Sequence, residues 1–195
     1  MGNGKMLAVS ALFLCALFAG VAHATTVTLQ PGPEGKDAFI SSGGISAGDS
    51  ARLASGVENA EVFWTLIEFN MNNLTNITNT TNITNAVLWF YCNQTNGSNN
   101  YSAYQADGGW EEGTVSWRAR PPVGDYYDTK TIMQYGFGWH SWTVTQQVAD
   151  VASGAIENNG FVVKTPLSGG LASFHSSDYM TSQLLRPKLV ITYNN

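Results

Sequence analysis

Asn-x-Ser/Thr triplets are the densest chemical pattern in this sequence. Seven lie close together, headed by Asn73, Asn76, Asn79, Asn82, Asn93, Asn96 and Asn100, and none has Pro in the middle. In a secreted chain, the amide of such an Asn is the acceptor for an N-linked glycan. The first four recur every third residue in "NNLTNITNTTNITNAV". Asn, Thr and Ile are weak helix formers, so a helix is disfavoured. A half-buried strand would turn acceptors three apart to alternate faces. A polyproline-II-like path, with three residues per turn, would set them all on one side. Residues 72–85 therefore read as an exposed, extended loop carrying glycans. The repeat is too short to build a solenoid.

Hydrolytic or redox chemistry finds no comparable pattern. His140 and His175 lie in no nucleophile-elbow context. Glu111 and Glu112 are adjacent, so a strand would send them to opposite faces rather than across a scissile bond. Glu112 reads as a structural hydrogen-bonding residue. No His/Cys pair has metal-ligand spacing. Glu34, Asp37 and Asp178 are acidic candidates for calcium, but no run of alternating Asp/Asn ligands accompanies them. The sequence therefore predicts no catalytic residue, no metal and no cofactor.

Sugar recognition needs flat aromatic faces beside a few polar groups, because sugar C–H surfaces stack on rings while hydroxyls seek partners. Period-two counting sorts the aromatics. In "NAVLWFYC", Ala86, Leu88, Phe90 and Cys92 share the core face, and Val87, Trp89 and Tyr91 point outward. In "EVFWTLIEFN", core-facing Phe63, Ile67 and Phe69 leave Trp64 and Glu68 on the other side. Trp64, Trp89 and Tyr91 thus form an expected outward aromatic face. It is suited to a glycan, to another subunit, or to a covering loop. The segment from Gly124 to Trp142, read as a loop, offers a second platform in Tyr126, Tyr127, Tyr135, Phe137 and Trp139. Trp110, Trp117, Phe69 and Phe90 are read as packing residues.

The elements that must hold these residues are mostly strands. Residues 1–24 read as a secretory signal peptide: Lys5 precedes the apolar run Met6–Ala19, and Ala22-His23-Ala24 gives a small-x-small cleavage pattern. The run is too short for a stable membrane span. The remainder, 25–195, reads as one domain without an anchor or an appended catalytic domain. The full chain's net charge of −5, with 12% charged residues and no basic cluster, argues against nucleic acid and anionic membranes as partners. Cys92 is the only cysteine beyond the leader. It is either a buried small hydrophobe or one half of an intermolecular bridge. Expected strands are Thr26–Gln30, Asp37–Ser42, Glu61–Phe69, Ala86–Cys92, Tyr101–Ala106, Thr114–Trp117, Ser141–Val144, Gly160–Lys164, Ala172–His175 and Lys188–Tyr193. One helix is expected over Thr145–Ser153, capped by Thr145 and stopped by Gly154. This inventory predicts an all-β, two-sheet sandwich.

Ordered motifs then carry a resemblance. "WEEGTVSWRARP" (110–121), "WHSWTVTQQV" (139–148), "NGFVVKT" (159–165), "FHSSDY" (174–179) and "LRPKLVITY" (185–193) follow one another. "DAFISSG", "ARLASG", "TLIEFN" and "NAVLWFY" precede them. Together they resemble the DNRLRE-type carbohydrate-binding modules, jelly rolls found beside disaggregatases and alginate lyases. The resemblance implies a jelly-roll fold and a secreted, non-catalytic protein that binds extracellular or cell-surface polysaccharide. Dense sequons and low charge keep a second reading open: a structural glycoprotein of a matrix, surface layer or filament, assembling by self-association or with other surface proteins.

Overall fold

The structure, a computed structural model, describes residues 23–72, 82–166 and 168–194. The strands are β1 Ala24–Leu29, β2 Lys36–Ser41, β3 Ser46–Ala47, β4 Arg52–Glu58, β5 Glu61–Glu68, β6 Asn82–Thr95, β7 Asn99–Ala106, β8 Val123–Ile132, β9 Gly138–Thr143, β10 Phe161–Lys164, β11 Ala172–His175 and β12 Lys188–Asn194. The helix α1 spans Thr145–Ser153. Among the described residues no helix is long and apolar enough to cross a membrane.

The fold is antiparallel β with one short helix, as expected. The expected division into two separate sheets is not what the hydrogen bonding shows. Twelve strands join in one continuous sheet, ordered β1-β12-β6-β11-β4-β5-β10-β7-β8, with β2 on β5, β3 on β2 and β9 on β6. That sheet curls strongly into a half-barrel. β4 makes the turn possible. Its residues 52–55 pair with β11, and its residues 56–58 pair with β5. The change of partner falls at Gly56, whose φ is +131°. A Cβ there would strike the backbone of Gly170 and Leu171. Beside the bend, Ser55 Oγ lies 3.0 Å from Thr65 Oγ1 and 2.8 Å from the Val163 carbonyl, while Thr65 Oγ1 donates to the Ala54 carbonyl at 3.0 Å. Both hydroxyls are buried and both have partners.

β6 is the longest strand, and alternation governs it. Ala86, Leu88, Phe90 and Cys92 are all fully buried on the concave side. They pack with Trp142, Phe174, Tyr101 and Phe161 in the main core. Trp142 Nε1 donates to the Tyr101 carbonyl at 2.7 Å, so this ring is buried without an orphaned donor. Burial pushes the Cys92 thiol up to about 11. Cys92 is thus the small-hydrophobe case, and its burial removes the intermolecular bridge.

Several boundaries differ from expectation. Residues 82–85 are not loop: they continue β6 and pair with β12. The rest of the sequon repeat, 73–81, lies outside the described residues, as does nearly all of the expected leader. Residues 111–119 form turns rather than a strand, with the amides of Thr114 and Val115 both donating to the Glu111 carbonyl. This segment folds back over the convex side of β2, β5, β7 and β10 and seals a second apolar cluster with Trp110 and Val115. Thr145 does not cap α1. Its Oγ1 accepts from the Ala86 amide at 2.9 Å and ties the helix to β6. Gly154 ends α1 in the left-handed conformation, as expected.

Replacing Gly56 with Ala is expected to cost about 2–5 kcal/mol, combining strain for a non-glycine residue with overpacking. Urea denaturation checks this: the midpoint falls while the m-value is unchanged.

Candidate functional site

The outward residues of β6 are met by their cross-strand neighbours. Antiparallel pairing puts Trp89 opposite Lys188 on β12, and Tyr91 opposite Trp139 on β9. The Trp139 ring centroid lies 6.5 Å from Trp89 and 5.5 Å from Tyr91, edge-on to both. Lys188 Nζ sits 4.2 Å from the Trp139 centroid and 5.9 Å from Trp89. Such cation–π contacts contribute on the order of 0.5–1 kcal/mol at exposed sites. On the far side of Tyr91, His175 stacks at 5.5 Å, and Tyr179 stacks on His175 at 3.6 Å. The result is an aromatic strip in which Trp89, Trp139, Tyr91 and Tyr179 are half-buried and His175 is buried. Burial holds the His175 imidazole below its ordinary pKa. His140 is spent on the Gly136 carbonyl, 2.7 Å from its Nε2. Among the described residues neither His140 nor His175 is hydrogen-bonded to a serine hydroxyl.

Trp64 does not join this strip, so the expected three-residue face is split. Trp64 packs on Trp117 at 5.0 Å, with Arg120 at 4.9 Å and Lys164 at 5.5 Å from its ring centroid. Lys164 also lies over Tyr104, whose ring is 5.7 Å from Tyr126. This second cluster is largely covered by the 111–119 turns. Trp117 is half-buried there, and Tyr126, at 56% exposed, is its open end. Tyr127 faces the opposite way because β8 is a strand rather than a loop. It packs against the main core, and burial pushes its phenol up to about 12. Tyr135 and Phe137 sit in the exposed β8–β9 turn, 6.3 Å apart.

Three carboxylates distant in sequence meet elsewhere. Ligand-capable oxygens of Asp37, Glu112 and Asp178 all lie within 4.8 Å of one another. Glu112 Oε1 accepts from the Asp37 amide at 2.9 Å, which is the structural hydrogen bond expected of it. Asp37 Oδ2 accepts from the Ser177 amide at 2.8 Å. Burial raises Asp37 to about 7, and burial likewise raises Glu112 and Asp178. Glu34 belongs to none of this, since its Oε1 accepts from the Gly32 amide at 2.8 Å. That contact, first of all, keeps its carboxyl below the usual range. A cleft of about 490 Å³, walled by Asp49 and Glu112, opens beside the carboxylates. Another, of about 590 Å³, is lined by the Lys36–Glu68 ion pair with Asn70 and Asn158.

The described glycan acceptors are exposed at Asn93, Asn96 and Asn100. The Asn96 side chain bridges Glu58 and the Leu171 amide, and Asn100 Oδ1 accepts from the Thr131 hydroxyl. Asn73, Asn76 and Asn79 lie outside the described residues, and so does the side chain of Asn82.

The half-barrel lays aromatic rings and a lysine side by side on the outward face of β6, β9 and β12. Carbohydrate-binding module family 96 matches residues 32–193, and the chain belongs to that family. Membership implies carbohydrate binding, and modules of this class are typically non-catalytic. A comparison with curated proteins finds no match.

His175 gives a pH test of the strip. Its folded pKa is depressed, so its contribution is present above the unfolded value of about 6.5 and is lost as pH falls through the folded value. His175→Phe keeps the stack and removes the titration. Thermal unfolding from about pH 7.5 to about pH 5 should show the wild-type midpoint falling more steeply than that of the variant.

Proposed function

We propose that the protein is a secreted, non-catalytic carbohydrate-binding module that acts on extracellular or cell-surface polysaccharide through the strip Trp89–Trp139–Tyr91. The observation that carries this reading is the strip itself. Its rings are held by two paired strands, β6 and β9, so little ordering is needed when a sugar stacks on them. Stacking needs no charge, which suits a chain poor in basic residues. Lys188, beside Trp139 and Trp89, adds a partner for a uronate carboxylate.

Trp139 is the hub of the strip, so Trp139→Ala should weaken retardation in a polysaccharide affinity gel by roughly tenfold or more, as for an interface hot spot. Trp64→Ala, in the covered second cluster, should leave retardation unchanged. Lys188→Ala should weaken retardation by a polyuronate gel and spare a neutral glucan gel. Retention of wild-type retardation by Trp139→Ala, with an unchanged unfolding midpoint, removes the strip as the site.

The second reading, a structural glycoprotein that self-associates, is favoured by the exposed Met133, Tyr135 and Phe137 in the β8–β9 turn. Under that reading the native material is oligomeric, and Phe137→Ser makes it monomeric, as sedimentation would show. Either reading places the sequons outside the cell. Site-resolved mass spectrometry of native material is expected to find glycans on at least two of Asn73, Asn76, Asn79 and Asn82.

A further inference from the structure

We infer that Asp37, Glu112 and Asp178 form a calcium site that ties together β2, the 111–119 turns and the turn that follows β11. The first ground is a buried carboxyl with one oxygen unpartnered. Asp37 is 0% exposed, and among the described residues no donor reaches its Oδ1. The hydroxyl of Ser177, whose amide holds the other Asp37 oxygen, is likewise buried without a partner. A buried carboxylate with an idle oxygen is costly in a folded protein. Two further carboxylates beside it raise the cost, and Asp49 adds to the same field around Glu112 and Asp178. Lys36 and Arg186 oppose that field, from Glu112 and Asp178 respectively. Among the described residues the only salt bridge is Lys36 with Glu68, so no described cation is ion-paired with the three carboxylates.

The second ground is fit. The donors are all carboxylate oxygens, with no histidine or cysteine among them, so a hard cation is selected over zinc. Their mutual separations stay within 4.8 Å, about twice the calcium–oxygen distance of roughly 2.4 Å. Each donor stands on a different segment, an arrangement that suits calcium's variable coordination better than magnesium's strict octahedron. The cleft walled by Asp49 and Glu112 supplies a route of entry and room for water ligands.

Calorimetric titration of calcium chloride into chelator-treated protein is expected to show saturable binding of a single ion. The unfolding midpoint should rise with calcium and rise less with an equal concentration of magnesium. Asp37→Asn should weaken calcium binding at least tenfold while the metal-free variant unfolds no earlier than the metal-free wild type. Should Asp37→Asn not fold, Glu112→Gln, at the half-exposed rim, should show the same loss. Absence of heat and of any midpoint shift at millimolar calcium overturns the site. So does wild-type affinity in the folded variants.

Discussion

The structure depends on one backbone event, the change of partner in β4 at Gly56. A flat sheet of this many strands would leave its apolar side in water. Bending β4 so that one half pairs with β11 and the other with β5 folds that side onto itself. The concave interior then takes Phe90, Trp142 and Phe174 from one arm and Phe161, Tyr101 and Ile67 from the other. Only glycine tolerates both the dihedral and the closeness of Gly170 and Leu171. The bend would strand polar groups, and Ser55 and Thr65 meet them in a buried hydroxyl pair. Curvature of this kind also sets the outer surface. Strands β12, β6 and β9 lie on one arm, so their outward aromatics fall together.

How much of this was legible in the sequence follows from which faces are covered. In β6 one side is core over its whole run and the other is open, so alternation assigned Leu88, Phe90, Trp89 and Tyr91 correctly. In β5 the same counting placed Trp64 outward, which is right, but its outer side lies under the 111–119 turns. No local pattern shows that a distant segment folds back over a strand. Strand β8 went unread because Gly124, Asp125 and Asp128 look like loop punctuation. At the end of the sheet order, solvent accepts the polar side chains that an interior strand would exclude. β4 was missed in the residue reading for a related reason: its glycine is the bend itself, although the resemblance placed "ARLASG" among the early strands. The sequon period predicted loop for 82–85, where pairing with β12 prevails over the triplet rhythm.

The acidic cluster was half legible. The sequence offers Glu34, Asp37 and Asp178 as acidic candidates and reads Glu112 as a hydrogen-bonding residue, whereas the structure brings Glu112 into the cluster and leaves Glu34 out. Only the register of β2 with β5, and the return of the 111–119 turns over them, brings Glu112 to Asp37. Glu112 serves both roles at once. One oxygen accepts the Asp37 amide, and the carboxylate as a whole still lies within ligand distance of its neighbours. A spacing rule built for contiguous loops, such as the helix–loop–helix calcium motif, has no purchase on donors this far apart in the chain.

A convex strip and a polar cleft compete as the place where a glycan would bind, and their chemistry separates them. The larger cleft is lined by an ion pair already closed at 2.8 Å, and the Asn158 amide there is committed to the Phe69 carbonyl. A sugar entering it would compete with that ion pair and that amide contact, although the Asn158 Oδ1 is without a partner among the described residues. On the strip the rings are edge-on to one another, so their faces are not consumed by mutual stacking. The exceptions are one face of Tyr91, stacked on His175, the His175–Tyr179 stack beyond it, and the Trp139 face that Lys188 overlies. The open portion therefore lies toward Trp89, Trp139 and Lys188. Tyr179 directly follows Asp178 in the turn after β11, so a cation at the acidic cluster would steady the closed end while leaving the open end to the ligand.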